Sequence, residues 1–165
     1  MKKYKGQTFS FELFIVIPLF FIVLFIFFNL YEDLKNEKLD NDIMVKTIAI
    51  LDTLIESPGY PKNWGCENVS RLGLCEIRGE INSQKLKEFV KLSDEQLYNS
   101  INAGEFNVFI DIRYLNDTLL NISGNETRIG TFLPLNTSNV SQISIIKEYA
   151  TYENEEVTIE VGLWN

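Results

Sequence analysis

The sequence predicts an α+β chain: a long N-terminal helix, apolar in its first half and amphipathic in its second, packed on a small antiparallel β-sheet head. Three observations carry this. Residues Leu13 to Tyr31 form a nineteen-residue run without a charge. Helical periodicity continues beyond it to a Ser57-Pro58-Gly59 stop. From residue 105 the apolar pattern switches to period two.

The first element follows from the apolar run LFIVIPLFFIVLFIFFNLY. As a helix it rises about 28 Å, close to the roughly 30 Å hydrocarbon core of a bilayer. Pro18 interrupts it, which a membrane helix tolerates when neighbouring groups satisfy the freed carbonyl. Lys2, Lys3 and Lys5 precede the run, and Glu32 and Asp33 follow it. The positive-inside bias therefore places residues 1–12 in the cytoplasm and the remainder outside, as a single-pass protein of the cell membrane in contact with lipid. A secretory signal peptide would show a small-x-small cleavage site after the run, and none is present. A permanent anchor fits the run itself. It gives no reason for Glu12, a carboxylate at the edge of an apolar helix where an unpaired charge costs several kcal/mol. A helix that packs against copies of itself does.

Residues 32–56 continue the helix. Leu34, Ile43, Val45, Ile48, Leu51, Leu54 and Ile55 give a partial 3.6-residue stripe, and the polar stretch Leu39 to Asp42 is a candidate break. The expected helix runs from about residue 9 to 56, whole or as two coaxial pieces.

The stretch after it is rich in Pro and Gly and reads as loop up to residue 81. Tyr60 and Trp64 flank a proline turn there, as core aromatics folded back on the helix or, less simply, as a ligand platform. Cys66 and Cys75 are the only cysteines. Outside the cytoplasm they favour a disulfide closing a short loop, a gain of about 2.5–3 kcal/mol in the chain-entropy model. Free thiols or a weak two-ligand metal site are the alternatives. Asn82 or Ser83 caps a helix over QKLKEFVKL, and Ser93 caps a second over Asp94 to Asn102.

The β region opens with EFNVFIDIRYL, where Phe106, Val108, Ile110, Ile112 and Tyr114 share one face and Asn107, Phe109, Asp111 and Arg113 the other. A less regular strand covers Arg128 to Leu133. SQISIIKEYATY and EVTIEVGLW form a hairpin turning at Glu153-Asn154-Glu155. Three to five strands are expected, covered by the amphipathic half of the helix. Between them lies a stretch rich in Asn, Ser and Thr. It holds Asn-x-Ser/Thr sequons at Asn116, Asn121, Asn125, Asn136 and Asn139, with a further one at Asn68. About two would arise by chance, so the cluster suits a glycosylated outer surface.

Composition narrows the function. Three of the 15 cationic and one of the 23 acidic residues lie in the first 31 positions, leaving 12 against 22 beyond them. An acidic head repels phosphate backbones, so no nucleic-acid partner is expected. The chain has no histidine, which removes Ser-His-Asp and Cys-His catalysis and histidine zinc sites. The acidic runs Asp40-Asn41-Asp42 and Glu153 to Glu156 lack the calcium-loop spacing. Gly59, Gly65, Gly73 and Gly79 are too dispersed for a phosphate loop. No catalytic residue, cofactor or metal ligand is expected, and the chain does not read as an enzyme.

Two sets of residues resemble a known family. Lys5-Gly6-Gln7 followed by Ser10-Phe11-Glu12 resembles the class III signal peptide of archaeal type IV pilin-like proteins. Pro58-Gly59-Tyr60-Pro61-Lys62-Asn63-Trp64, Leu72-Gly73-Leu74, Ile81-Asn82 and Lys85-Leu86 resemble a block that recurs in larger members. The resemblance implies cleavage by a prepilin peptidase between Gly6 and Gln7, the hydrophobic helix staying on the mature chain as filament core. It implies that Glu12 pairs with the new N-terminal amine of a neighbouring subunit. Here Glu12 stands sixth after the cut, whereas the family pattern Gln-x-Ser-x-Glu has it fifth. The expected organisation is then a signal peptide over 1–6, a membrane or filament-core helix over 7–31, its amphipathic half over 32–56, and an extracellular α+β head over 57–165. The expected function is a structural subunit, minor or accessory, of a type IV pilus-like surface filament whose glycosylated head serves adhesion. Its partners would be other pilin subunits and the peptidase. An uncleaved single-span receptor or adhesin is the alternative.

Overall fold

The structure is a computed structural model that describes residues 5–131 and 140–165, with the side chains of residues 5–12 and 39–40 outside the description. Helix α1 runs over Lys5–Glu56 without interruption, through Pro18 and through the polar stretch expected to hold a break. The chain divides into two compact units, Met1–Asn41 and Asp42–Asn165. The α+β class predicted from the sequence is what the structure shows.

In the second unit α1 is followed by β1 (Cys75–Ile77), β2 (Glu80–Ile81), α2 (Ser83–Phe89), α3 (Asp94–Ser100), β3 (Asn107–Tyr114), β4 (Asn121–Ile122), β5 (Asn125–Glu126), β6 (Arg128–Gly130), β7 (Ile143–Tyr152) and β8 (Glu155–Trp164). Six strands form one sheet in the order β1-β2-β7-β8-β3-β6, and β4-β5 form a separate ribbon. All pairs are antiparallel except β2–β7, which meet in parallel at Glu80 and Thr151. The sheet is larger than the three to five strands expected, and the stretch up to residue 81 is not pure loop. Strands of two or three residues are too short to show a period.

Local chemistry explains the ends of these elements. The Asn82 side chain accepts the N–H groups of Gln84 and Lys85 to start α2. Ser93 and Gln96 form a reciprocal capping box at α3. The β7–β8 hairpin turns through Glu153 and Asn154, both at positive φ, the two-residue turn whose twist matches a right-twisted ribbon. The last carbonyls of α1 are used as well: Leu54 accepts from the Leu74 N–H and Ile55 from the Gly79 N–H.

The core lies between one face of α1 and one face of the sheet. Ile43, Thr47, Ile50, Leu51, Leu54 and Ile55 are buried at helical spacing. They share the core with Val108, Ile110 and Ile112 of β3 and Val157, Ile159, Val161 and Leu163 of β8. Thr47, the one polar member of that helical face, donates its hydroxyl to the Ile43 carbonyl. Three residues of the predicted stripe are not in it: Leu34, Val45 and Ile48 are exposed, as is Met44.

Candidate functional site

The largest unburied feature is the first half of α1. From Leu13 to Tyr31 its apolar side chains, Leu24 excepted, are exposed, Phe14 at 82%. This is one helix long and apolar enough to cross a membrane, near the N-terminus, with no part of its most apolar window buried. Its polar content is satisfied internally, since the Asn29 amide donates to the Phe25 carbonyl at 2.8 Å. Aromatic rings pair edge to face at Phe20–Phe21 and Phe27–Phe28. Gly6, Gln7 and Glu12 fall on backbone that is helical, with their side chains outside the described residues.

The block Pro58 to Leu86 folds into a clasp over the end of α1. The Trp64 indole N–H is shared between the Pro58 and Gly73 carbonyls, at 3.0 and 2.9 Å. The buried Lys85 ammonium also donates to the Pro58 carbonyl, and burial lowers its pKa. A Cβ on Gly73 would stand 2.4 Å from the Gly59 nitrogen and the Ser57 oxygen, so glycine is needed where the two segments cross. Trp64 is thus the core aromatic expected of it, whereas Tyr60 is exposed. Trp64, Lys85 and the crossing glycines of this block hold the chain together.

The two cysteines are free thiols, so the disulfide expected between Cys66 and Cys75 is not formed. Each sulfur has its own surroundings. Cys75 is buried in β1, where burial pushes its thiol up to about 11, and it bonds the Gly79 backbone. Cys66 lies at a turn against Glu88; its thiol is raised by burial and by that carboxylate.

Asn68, Asn116, Asn121 and Asn125 are exposed, and Asn136 and Asn139 lie outside the described residues. The Asn116 side-chain amide oxygen accepts from the N–H and hydroxyl of Thr118. Thr127, the hydroxyl residue of the Asn125 sequon, is fully buried and donates to the Ile112 and Leu120 carbonyls.

One arrangement escaped the sequence reading. On the sheet face away from α1, Lys147, Glu160, Asp111 and Arg128 stand in register across β7, β8, β3 and β6. Arg128 grips the Asp111 carboxylate with two nitrogens, at 3.0 and 2.7 Å. Arg113 adds a contact to Asp111 at 2.6 Å, and Lys147 reaches Glu160 at 3.0 Å. Asp111 is 1% exposed. Donating to the Asp111 carboxylate raises the Arg128 guanidinium pKa above its ordinary value. The signal was available, because a turn at Glu153-Asn154 sets Lys147 opposite Glu160.

A cleft of about 520 Å³ opens beside α1, lined by Lys46, Thr53, Arg71, Asn99 and Asn102 over an apolar floor. Lys46 is paired with Asp42 at 3.1 Å and lies 4.9 Å from the Phe106 ring centre. No family model, curated protein or solved structure matches the chain.

Proposed function

We propose that the chain is a structural subunit, minor or accessory, of an archaeal type IV pilus-like surface filament, made as a membrane-held precursor. The observation that carries this reading is the division of labour along α1. Its first half exposes an uncharged apolar surface, and its last turns supply one whole side of the head's core. A membrane stalk that carries a head shares that division. Packing among copies gives a use to the apolar residues left outside the core in the second half as well, at Met44, Val45 and Ile48. The residues before the apolar run support cleavage between Gly6 and Gln7 by a prepilin peptidase, with the N-terminus cytoplasmic and the head outside. In this reading the freed helix leaves the bilayer, and its Leu, Ile and Phe side chains bury against those of neighbouring subunits. Glu12 neutralises the amine of the next chain, and the head displays its glycosylated sequons for surface contact.

Shearing surface filaments from cells that make the protein tests this. The chain is expected in the sheared filament fraction. Its complete retention in the membrane, extracted by detergent as a monomer, favours the second reading, an uncleaved receptor or adhesin. The cleft bearing Lys46 and Arg71 on an otherwise acidic head is the feature that favours that reading.

A further inference from the structure

The sheet has an open edge. Strand β7 is bonded to β8 along its whole length, but β2 covers its other side only at Thr151. The Thr151 N–H donates to the Gly79 carbonyl on that side, and the Gln142 carbonyl accepts from Asn165 on the β8 side. Main-chain groups alternate along a strand. The N–H and C=O groups of Ile143, Ile145, Lys147 and Tyr149 therefore point outward, and among the described residues nothing pairs with them. The same residues are exposed, Tyr149 at 72%. Edge strands are ordinarily blunted by a charged side chain standing over the edge. Here Lys147 is drawn back over the sheet to Glu160, so that guard is missing.

We propose that this edge pairs with the same edge of a second copy, joining two sheets into one through an antiparallel, two-fold β7–β7 contact. The open stretch selects the register. Centred on Ile146, Ile143 lies opposite Tyr149 of the second copy and Ile145 opposite its Lys147, so every outward main-chain group finds a partner. On the other face Ser144 meets Glu148 and Ile146 meets itself. Centring on Lys147 or on Glu148 sets like charges against each other. Centring on Ile145 leaves Tyr149 unpaired. A second copy is thus the strand that fits this edge completely, and the contact stands apart from the filament reading, since it requires neither cleavage nor helix packing.

Cross-linking of the full chain in detergent tests it. At the two-fold centre the opposed Cα atoms come to about 4.5 Å, within disulfide reach. In a Cys66→Ser background that leaves only the buried native thiol, Ile146→Cys is expected to form a disulfide dimer under mild oxidation. Ser144→Cys and Glu148→Cys are each expected to stay monomeric alone and to cross-link to one another when mixed. Ile145→Pro removes an N–H that faces the open edge, not β8, and is expected to abolish the Ile146→Cys dimer while circular dichroism shows the sheet intact. If Ile146→Cys stays monomeric, or Ile145→Pro with its sheet intact leaves the dimer undiminished, the contact does not exist. N-terminal cleavage is unaffected by either outcome, so the two claims fail separately.

Discussion

Asp111 is the residue on which the outer sheet face depends most. It is buried beneath two guanidinium groups, and removing it takes away the carboxylate that Arg128 and Arg113 share, while Arg113 keeps Glu160 at 3.7 Å. Both arginines keep some contact with water, so the loss falls short of that for a fully buried pair. Asp111→Ala is expected to destabilise the head by about 2–3 kcal/mol, read from chemical denaturation. Glu88 supplies a pH dependence. The Lys91 ammonium at 2.6 Å, and then the Cys66 N–H, hold its carboxyl below the ordinary 4.5. The unfolded chain then takes up the proton first. The contribution is complete above the ordinary value and lost as pH falls through the depressed one. Thermal unfolding midpoints of wild type and Glu88→Gln, followed from about pH 6 to about pH 3, are expected to converge on acidification. The thiols differ in kind. Cys66 is expected to react with an alkylating reagent in the folded protein and Cys75 only after unfolding, as mass spectrometry of the labelled chain would show.

At the scale of elements, α1 is used on more than one side. Leu54 is on the buried side, and Leu54→Ala is expected to cost about 2–5 kcal/mol of head stability. Val45 and Ile48 are outside the core, and replacing both by Ser is expected to leave that stability nearly unchanged while weakening any packing among copies. Periodicity in the sequence could not separate the two sets, because apolar residues on two sides of one helix blur into a single broad stripe. The elements with local chemical signals were legible: a cap at Asn82 or Ser83, the Ser93 cap, the alternation from Phe106 to Tyr114, and a turn at Glu153-Asn154-Glu155, of which Glu155 proves to belong to β8. What stayed hidden depends on distant partners. β1 and β2 are defined by pairing rather than pattern, β4 and β5 read as an Asn-rich loop, and the ion pair of Asp111 with Arg128 forms only once β6 is set beside β3. The clasp is not legible in the Pro- and Gly-rich pattern of its residues. Its glycines mark the crossing of two backbones, so Gly73→Ala is expected to lower the unfolding midpoint sharply, whereas Gly79→Ala, with open space about it, costs only the strain of its positive φ.

For the whole molecule the question is what α1 does after synthesis. An apolar surface of this size is stable in lipid or against other copies, and not in water. A permanent anchor and a stored filament core share that surface, and they differ in whether residues 1–6 stay on the chain. The proposed function requires that Gly6–Gln7 be cut while the apolar segment stays on the mature chain. The direct measurement is the N-terminal sequence of the protein purified from cells that make it. A mature chain beginning at Gln7 is the predicted result. An intact Met1 on the whole population would contradict the account and leave a single-span surface protein in its place.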